Sequence, residues 1–501
     1  MYKKSEQQVT FEEFRLSYGG DLNSQNRWVQ LSRIIPWHKI EERYASNFAS
    51  GLGPRAKSVR MALGALLIKE RCGFTDEETV LHIQENSYMQ YFIGLPRHEH
   101  VAPFDPSMMV HFRKRFSAEV LMEINELICL GDKTEDEDKK DKNSDVEAGT
   151  NAETDTETNS SSGESDAERK IENKGTLIAD ATCAPADIRF PTDLGLLNEA
   201  REKLEGMIDT LHEPMIGKAR KPRNYRKVAR RDYLNATKNK KLKKKVLRKA
   251  IGKQLRYVER DLKIVKQLMD NEESGPLGPR QSQTLETIET LYQQQKTMFE
   301  KKTHRIEDRI VSISQPHVRP IVRGKAAAST EFGAKLTISM HNGFSFLDKL
   351  SWDNFNEGVD LIEQIENYKR RFGVYPEVVL VDKIFRNRMN ISYCKAHNIR
   401  LSGPPLGRPN AKLQKEQKKL ERRDNGVRNA VEGKIGEGKR RYRLGRIMAK
   451  LQETSESVIV LQFLVMNLEQ KLRLLFVCFK ELIHFAVYAL FGRLRAEFQI
   501  Y

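Results

Sequence analysis

Two short runs decide how this chain folds: Gly175-Thr-Leu-Ile-Ala-Asp180 and Val378-Val-Leu-Val-Asp382. Each is an apolar run of strand length ending in an acid, the pattern of a strand buried on both faces. If the two strands end at one edge of one sheet, their carboxylates meet. Hard oxygen ligands of that kind suit Mg²⁺ or Mn²⁺.

The chain between the two runs supports an α/β plan. Leu194 to about Val311 is helical, highly charged and poor in Gly. Leu262, Val265, Leu268 and Met269 are spaced to face Leu285, Ile288, Leu291 and Met298. Gly275-Pro-Leu-Gly-Pro279 breaks the run between them, which reads as an inserted helical hairpin. Strands resume at Phe332 to Ser339 and Phe344 to Leu350, joined by a turn at His341-Asn-Gly343. A helix near Asn356 to Arg371 leads into the second acid-ended run.

Upstream, the pattern is all helical. Pro54 to Arg71 carries Val59, Met61, Leu63, Leu66 and Leu67 at helical spacing. Thr75-Asp-Glu-Glu78 has capping-box spacing and opens a helix towards Phe92. Asp105-Pro106 offers an N-cap and a first-turn Pro for a helix containing His111 to Phe116. A tight turn at Gly73 between short helices suits either a helix-turn-helix unit or a plain bundle.

Charge divides the chain further. The 501 residues hold 86 Lys and Arg against 69 Asp and Glu, a formal net of +17. This points to a polyanionic partner. Asp132 to Glu168 holds 14 acids and 4 Lys with almost nothing apolar, as in a disordered linker. Lys218 to Arg260 holds 19 Lys or Arg against two acids, with Tyr225, Tyr233 and Tyr257 interleaved. Lys240, Lys241, Lys243, Lys244 and Lys245 form its densest part and are placed to track nucleic-acid phosphates.

Other features exclude classes. The five cysteines show no CxxC pair and no metal-ligand spacing, so a disulfide framework and a zinc ribbon are not expected and a reducing cytosol fits. The first residues, MYKKSEQQVTFEEF, lack the apolar stretch of a signal peptide, so none is expected there. Leu474 to Phe491 is the most apolar segment, but Lys480, Glu481 and His484 at its middle argue for a buried C-terminal helix over a membrane span. His98-Glu-His100 stands alone in a loop and Cys183 reads as a packed thiol. Trp352 reads as core.

A third acid comes from Arg428-Asn-Ala-Val-Glu432 and the downstream Lys439, which share one face of a helix. Glycines at 433, 436 and 438 weaken that helix, as if it ended there or met DNA closely. Lys383, Arg386 and Arg388 follow the second acid and are candidates for contacts near a cleaved strand.

Four segments carry a family resemblance: residues 176–205, 319–336, 379–409 and 428–451, the last reading RNAVEGKIGEGKRRYRLGRIMAKL. They resemble the DDE transposases of bacterial insertion sequences, in the superfamily of insertion sequence five. Residues 28–117 are similar to the N-terminal helical domain of that family. The resemblance implies a ribonuclease-H-like α/β core. It also implies Asp180, Asp382 and Glu432 as catalytic metal ligands for two Mg²⁺ or Mn²⁺ ions. Arg428 and Lys439 match the family's Arg and Lys, but its Tyr position falls on Asn425.

The implied reaction hydrolyses the phosphodiester at an element end and joins the freed 3′-hydroxyl to target DNA. The implied partners are double-stranded element ends and target, with a homodimer on DNA and no membrane. The implied location is the bacterial cytoplasm, at the nucleoid. The division that follows is 1–131 helical and DNA-binding; 132–173 linker; 174–193 with 315–455 core; 194–314 basic hairpin insertion; and 456–501 C-terminal helices. Competing classes are a metal nuclease that does not join strands, a non-catalytic DNA-binding relative, and a basic RNA-binding protein. The last explains the charge but not the acids.

Overall fold

In the computed structural model, the described residues are Tyr2, Lys4, 9–16, 19–46, Phe48, 56–131, 172–238, 243–322, 330–403 and 414–497. The acidic stretch expected as a linker lies almost wholly outside them, as do Lys240 and Lys241.

The N-terminal block holds α1 (Arg27–Ile34), α2 (Trp37–Ala45), α3 (Val59–Cys72), α4 (Asp76–Glu85), α5 (Ser87–Phe92), α6 (Met108–Arg115) and α7 (Ala118–Leu130). Ser58 caps α3, and Gly73 ends it at φ 74°, a left-handed conformation that favours Gly. Thr75 and Glu78 form the expected capping box. The helix they open stops at Glu85, short of Phe92, because the Asn86 side chain accepts from Tyr88 and Met89 N–H and starts α5.

Six strands form one sheet: β1 (Thr176–Pro185), β2 (Arg319–Val322), β3 (Thr330–His341), β4 (Phe344–Ser351), β5 (Val378–Leu380) and β6 (Arg400–Leu401). β3 pairs antiparallel with β1 on one edge, and with β2 and β4 on the other. β5 lies parallel to β1, and β6 parallel to β5. The β3–β4 turn places Asn342 at φ 49° and Gly343 at φ 81°, as a two-residue hairpin turn requires. β1 does not end at Asp180; it runs five residues further, held by β3 alone.

The insertion holds α8 (Asp193–His212), α9 (Arg226–Thr237), α10 (Lys244–Met269) and α11 (Pro279–Lys301). Leu262, Val265 and Leu268 of α10 share a core with Leu285, Ile288 and Leu291 of α11 as expected. Met269 is exposed instead. α8 completes the core with Leu197, Leu204, Ile208 and Leu211, so three long helices pack together where two were expected. α8 is amphipathic, and a two-helix hairpin would leave its apolar face in water.

The remaining helices are α12 (Leu361–Phe372), α13 (Arg388–Ala396), α14 (Gln414–Arg441) and α15 (Gln452–Glu497). α14 continues through Gly433, Gly436 and Gly438 rather than ending at them. A Cβ at Gly438 would lie 3.0 Å from Met466 Sδ of α15, so this glycine permits close helix packing. Among the described side chains of α15, the buried apolar ones run from Val458 to Leu472 and join the N-terminal helices, β3 and β4 in one core. Of the stretch expected to be buried, Leu474 to Phe491, Leu474, Leu475, Phe476 and Val477 are exposed, and the side chains from 478 on lie outside the described residues. Among the described residues no helix is long and apolar enough to cross a membrane.

Candidate active site

The register of β1 and β5 sets the geometry. Ile178 pairs with Leu380, and parallel pairing stops there. Asp180 and Asp382 each lie two residues further along. Ile178, Leu380 and Met340 pack against Val431 of α14. Leu177, Ala179, Val379 and Val381 pack against Leu361, Ile365 and Tyr368 of α12. Side chains alternate along a strand, so Asp180 and Asp382 follow Ile178 and Leu380 to the α14 side.

α14 is held over this edge by three devices. Arg400 of β6 donates two hydrogen bonds to Asp424 of α14, at 2.7 and 2.9 Å. Val431 is fully buried against the sheet. Glu437 joins Lys434 to Arg473 of α15. Glu432 follows Val431 directly, and its Oε1 lies 3.2 Å from Arg428 Nη2. That pair is the expected one.

Burial raises the Asp180 carboxyl above the ordinary carboxylate range. A hydrogen bond from Ala181 N–H (2.7 Å) and the charge of Arg428 oppose the shift, while the charges of Glu432 and Glu357 add to it. Asp180 thus senses both Arg428 and Glu432. Asp382 is exposed and caps the 3-10 turn 383–385, accepting from Lys383 N–H at 2.7 Å. Glu357 was not anticipated. It pairs with Lys335 at 3.0 Å, and its turn is pressed onto residue 384, since a Cβ at Gly358 would lie 2.6 Å from the Ile384 carbonyl. Nothing in its local sequence marks it; only the fold brings it to the acids.

The expected DNA contacts are placed differently from one another. Lys383 and Arg388 are exposed beside Asp382. Arg386 is turned inward: its Nη1 donates to the Leu401 (3.0 Å) and Ser402 carbonyls, and its side chain fills the space over Gly403. Lys439 is half-buried two turns beyond Glu432. Lys243, Lys244 and Lys245 are exposed at the start of α10. Tyr225 lies between Arg223 and Arg260, and Tyr257 donates to Asp232, so two of the interleaved tyrosines already have partners. Trp352 is buried, donating to Glu456 at 2.7 Å. Cys183 is buried. His98 engages Ser87 and stacks edgewise on His100.

Among the described residues no three His, Cys, Asp or Glu side chains are grouped closely enough to hold a metal ion. Glu432 is turned to Arg428 and Asp382 to its own turn. The donor set nevertheless suits a hard divalent cation. It consists of carboxylates alone, and the most buried of them, Asp180, is raised first by burial and further by the charges of Glu432 and Glu357.

A mixed α/β chain with carboxylates gathered at one sheet edge is a class with many functions. Comparison with known proteins narrows it. Residues 379–469 match the family model for a transposase DDE domain. Residues 17–115 match the model for a transposase domain (DUF772). The two matches agree with a DDE transposase of an insertion sequence. The chain is also 32% identical over 111 residues to an uncharacterized protein, ORF8 in the nfe locus of Rhizobium meliloti, covering 22% of this chain and 53% of that protein. The chain thus spans about half the length of that curated relative. No solved structure matches.

Proposed function

We propose that this chain is an insertion-sequence transposase, of the superfamily of insertion sequence five, that cleaves DNA at its element's ends and joins those ends to target DNA. The observation that carries the reading is that Asp180 in β1 and Asp382 just past β5 each follow by two residues the paired Ile178 and Leu380, which pack beneath the helix bearing Glu432. Three antiparallel strands followed by two parallel ones, in the order β4-β3-β1-β5-β6, support a ribonuclease-H-like core.

In this reading Asp180, Asp382 and Glu432 hold divalent cations, Mg²⁺ or Mn²⁺. Such ions, when bound, polarise the scissile phosphate and lower the pKa of an attacking water or 3′-hydroxyl. Arg428 holds Glu432 until a cation competes for it. Lys383 and Arg388 neutralise the cleaved strand's phosphates, and Lys439 holds DNA further along the helix. Arg386 positions the Asp382 loop from within. Lys243, Lys244 and Lys245 sit at the positive end of α10, which has no acid in its first turn. That repulsion is relieved by a phosphate backbone, so they hold DNA. Two chains act together on paired ends.

The test is strand transfer with the purified protein, Mg²⁺ and pre-cut end duplexes carrying free 3′-hydroxyls. Joined products support a transposase. Cleavage of uncut ends without joining supports the metal-nuclease reading instead.

A further inference from the structure

The N-terminal block offers two helices to a duplex, and their outward faces differ in charge. α4 turns Glu77, Glu78, Leu81 and Glu85 to solvent. Three acids on four positions repel a phosphate backbone. α6 turns Ser107, Val110, His111 and Lys114 to solvent, with no acid among them. Its opposite face is fixed: Met109 and Phe112 are buried, and Arg113 donates to both oxygens of Asp76 at 2.8 and 2.7 Å. Lys69 of α3 also pairs with Asp76, so one carboxylate joins α3, α4 and α6.

A cleft of about 430 Å³ runs between this junction and the segment that follows α14. Val110 lines it from α6; Arg443, Arg446, Met448 and Lys450 line it from the other side. Arg443 lies across the Gly73 turn, where a Cβ would come within 2.8 Å of its Nε. Arg446 donates to Asp187, and Lys450 is exposed. The same segment leads back to α14 and its Arg428, Glu432 and Lys439. Glu70, Asp76 and Glu77 line the cleft on the α3–α4 side, so its basic side is the segment carrying Arg443, Arg446 and Lys450, which runs on from α14. Eight residues make a helix roughly 12 Å long, comparable to the width of a major groove at about 12 Å.

We propose that α6, and not α4, reads the element end in the major groove through Val110, His111 and Lys114, with Arg443 and Lys450 on flanking phosphates. This rests on the reading of the chain as a transposase that binds its element's ends. The sequence left the Gly73 turn open between a helix-turn-helix unit and a plain bundle and singled out no DNA-reading helix. Val110 contacts a thymine methyl, while His111 and Lys114 donate to purine edges.

The test uses the full chain, a duplex taken from the DNA bordering the element, and a shuffled duplex of equal composition. Wild type is compared with Val110→Ala/His111→Ala/Lys114→Ala and with Leu81→Ala/Glu85→Ala by fluorescence anisotropy. Guanine N7 methylation protection is read alongside. The α6 variant is expected to lose at least tenfold of its preference for the end duplex, together with its N7 protections. The α4 variant is expected to keep both. Lys114→Gln alone, at an exposed position, gives a partial loss in the same direction and guards against misfolding of the triple variant. Retained preference and N7 protection in both α6 variants overturns the assignment while leaving end binding intact. A wild type that does not distinguish the two duplexes overturns the end-binding reading and this proposal with it.

Discussion

Asp180, within β1, and Asp382, two residues past the end of β5, each lie two residues beyond the paired Ile178 and Leu380. Asp180 is the buried member of the two and Asp382, at the cap of the 383–385 turn, the exposed one, so desolvation acts on Asp180.

Burial holds the Asp180 carboxyl above the ordinary carboxylate range, and that carries a measurable cost. A folded-state pKa above the unfolded one favours the fold at low pH, and the advantage is lost as pH rises through the folded value. Asp180→Asn removes the ionisable group. It should raise Tm at pH 7.5 in chelator, and the gain over wild type should shrink as pH falls into the ordinary carboxylate range. Mg²⁺ should raise the Tm of wild type but not of the variant. Thermal melts across pH, with and without the ion, check both.

Asp261 of α10 tests the insertion in the same way. It is fully buried with neither carboxyl oxygen hydrogen-bonded. Burial, with Glu205 nearby, pushes its pKa up to about 7. Below that value the native group is protonated and costs little; above it, ionisation works against the fold. Asp261→Asn should therefore raise Tm at pH 8.5 and change it little at pH 5.5. Equal effects at both pH values would contradict the assignment.

Asn467 of α15 ties the N-terminal block to the sheet. Its Oδ1 accepts from Ser345 N–H (2.9 Å), and its Nδ2 donates to the Ser345 carbonyl (2.7 Å) and to Asn125 Oδ1 (2.8 Å). It is fully buried. Asn467→Ala strands these partners and should cost about 2 kcal/mol in denaturant unfolding. Trypsin should then cut between the block and the core more readily.

Arg400 of β6 and Asp424 of α14 pair across the two elements and position α14. Arg400→Lys keeps the charge but loses the two-pronged geometry. It should lower DNA cleavage at least tenfold with a stability cost of about 1 kcal/mol or less, because Arg400 is 41% exposed. Loss of stability in proportion to loss of activity would mean the pair serves the fold alone.

Much of this was legible in the sequence, and the exceptions share a cause. The capping box at Thr75, the Asn342-Gly343 turn and the two acid-ended runs announce themselves through local chemistry. Strand ends do not. β1 runs past Asp180 because β3 continues to pair with it, and a partner 150 residues away leaves no local mark. The same holds for α8 joining the insertion core and for Glu357 reaching Asp180. Gly438 looked like a helix terminator because Gly weakens helices. Here the loss is offset by contact with Met466, which only the fold supplies. Arg386 read as a DNA contact from its place after Asp382, but the β6 carbonyls turn it inward.

The most direct measurement is Mg²⁺-dependent cleavage of an end duplex by wild type and by Asp180→Ala, Asp382→Ala and Glu432→Ala, each shown to bind the duplex. All three variants should bind with affinity near wild type and cut at least a thousandfold more slowly. Cutting by any one of them at the wild-type rate would contradict the site.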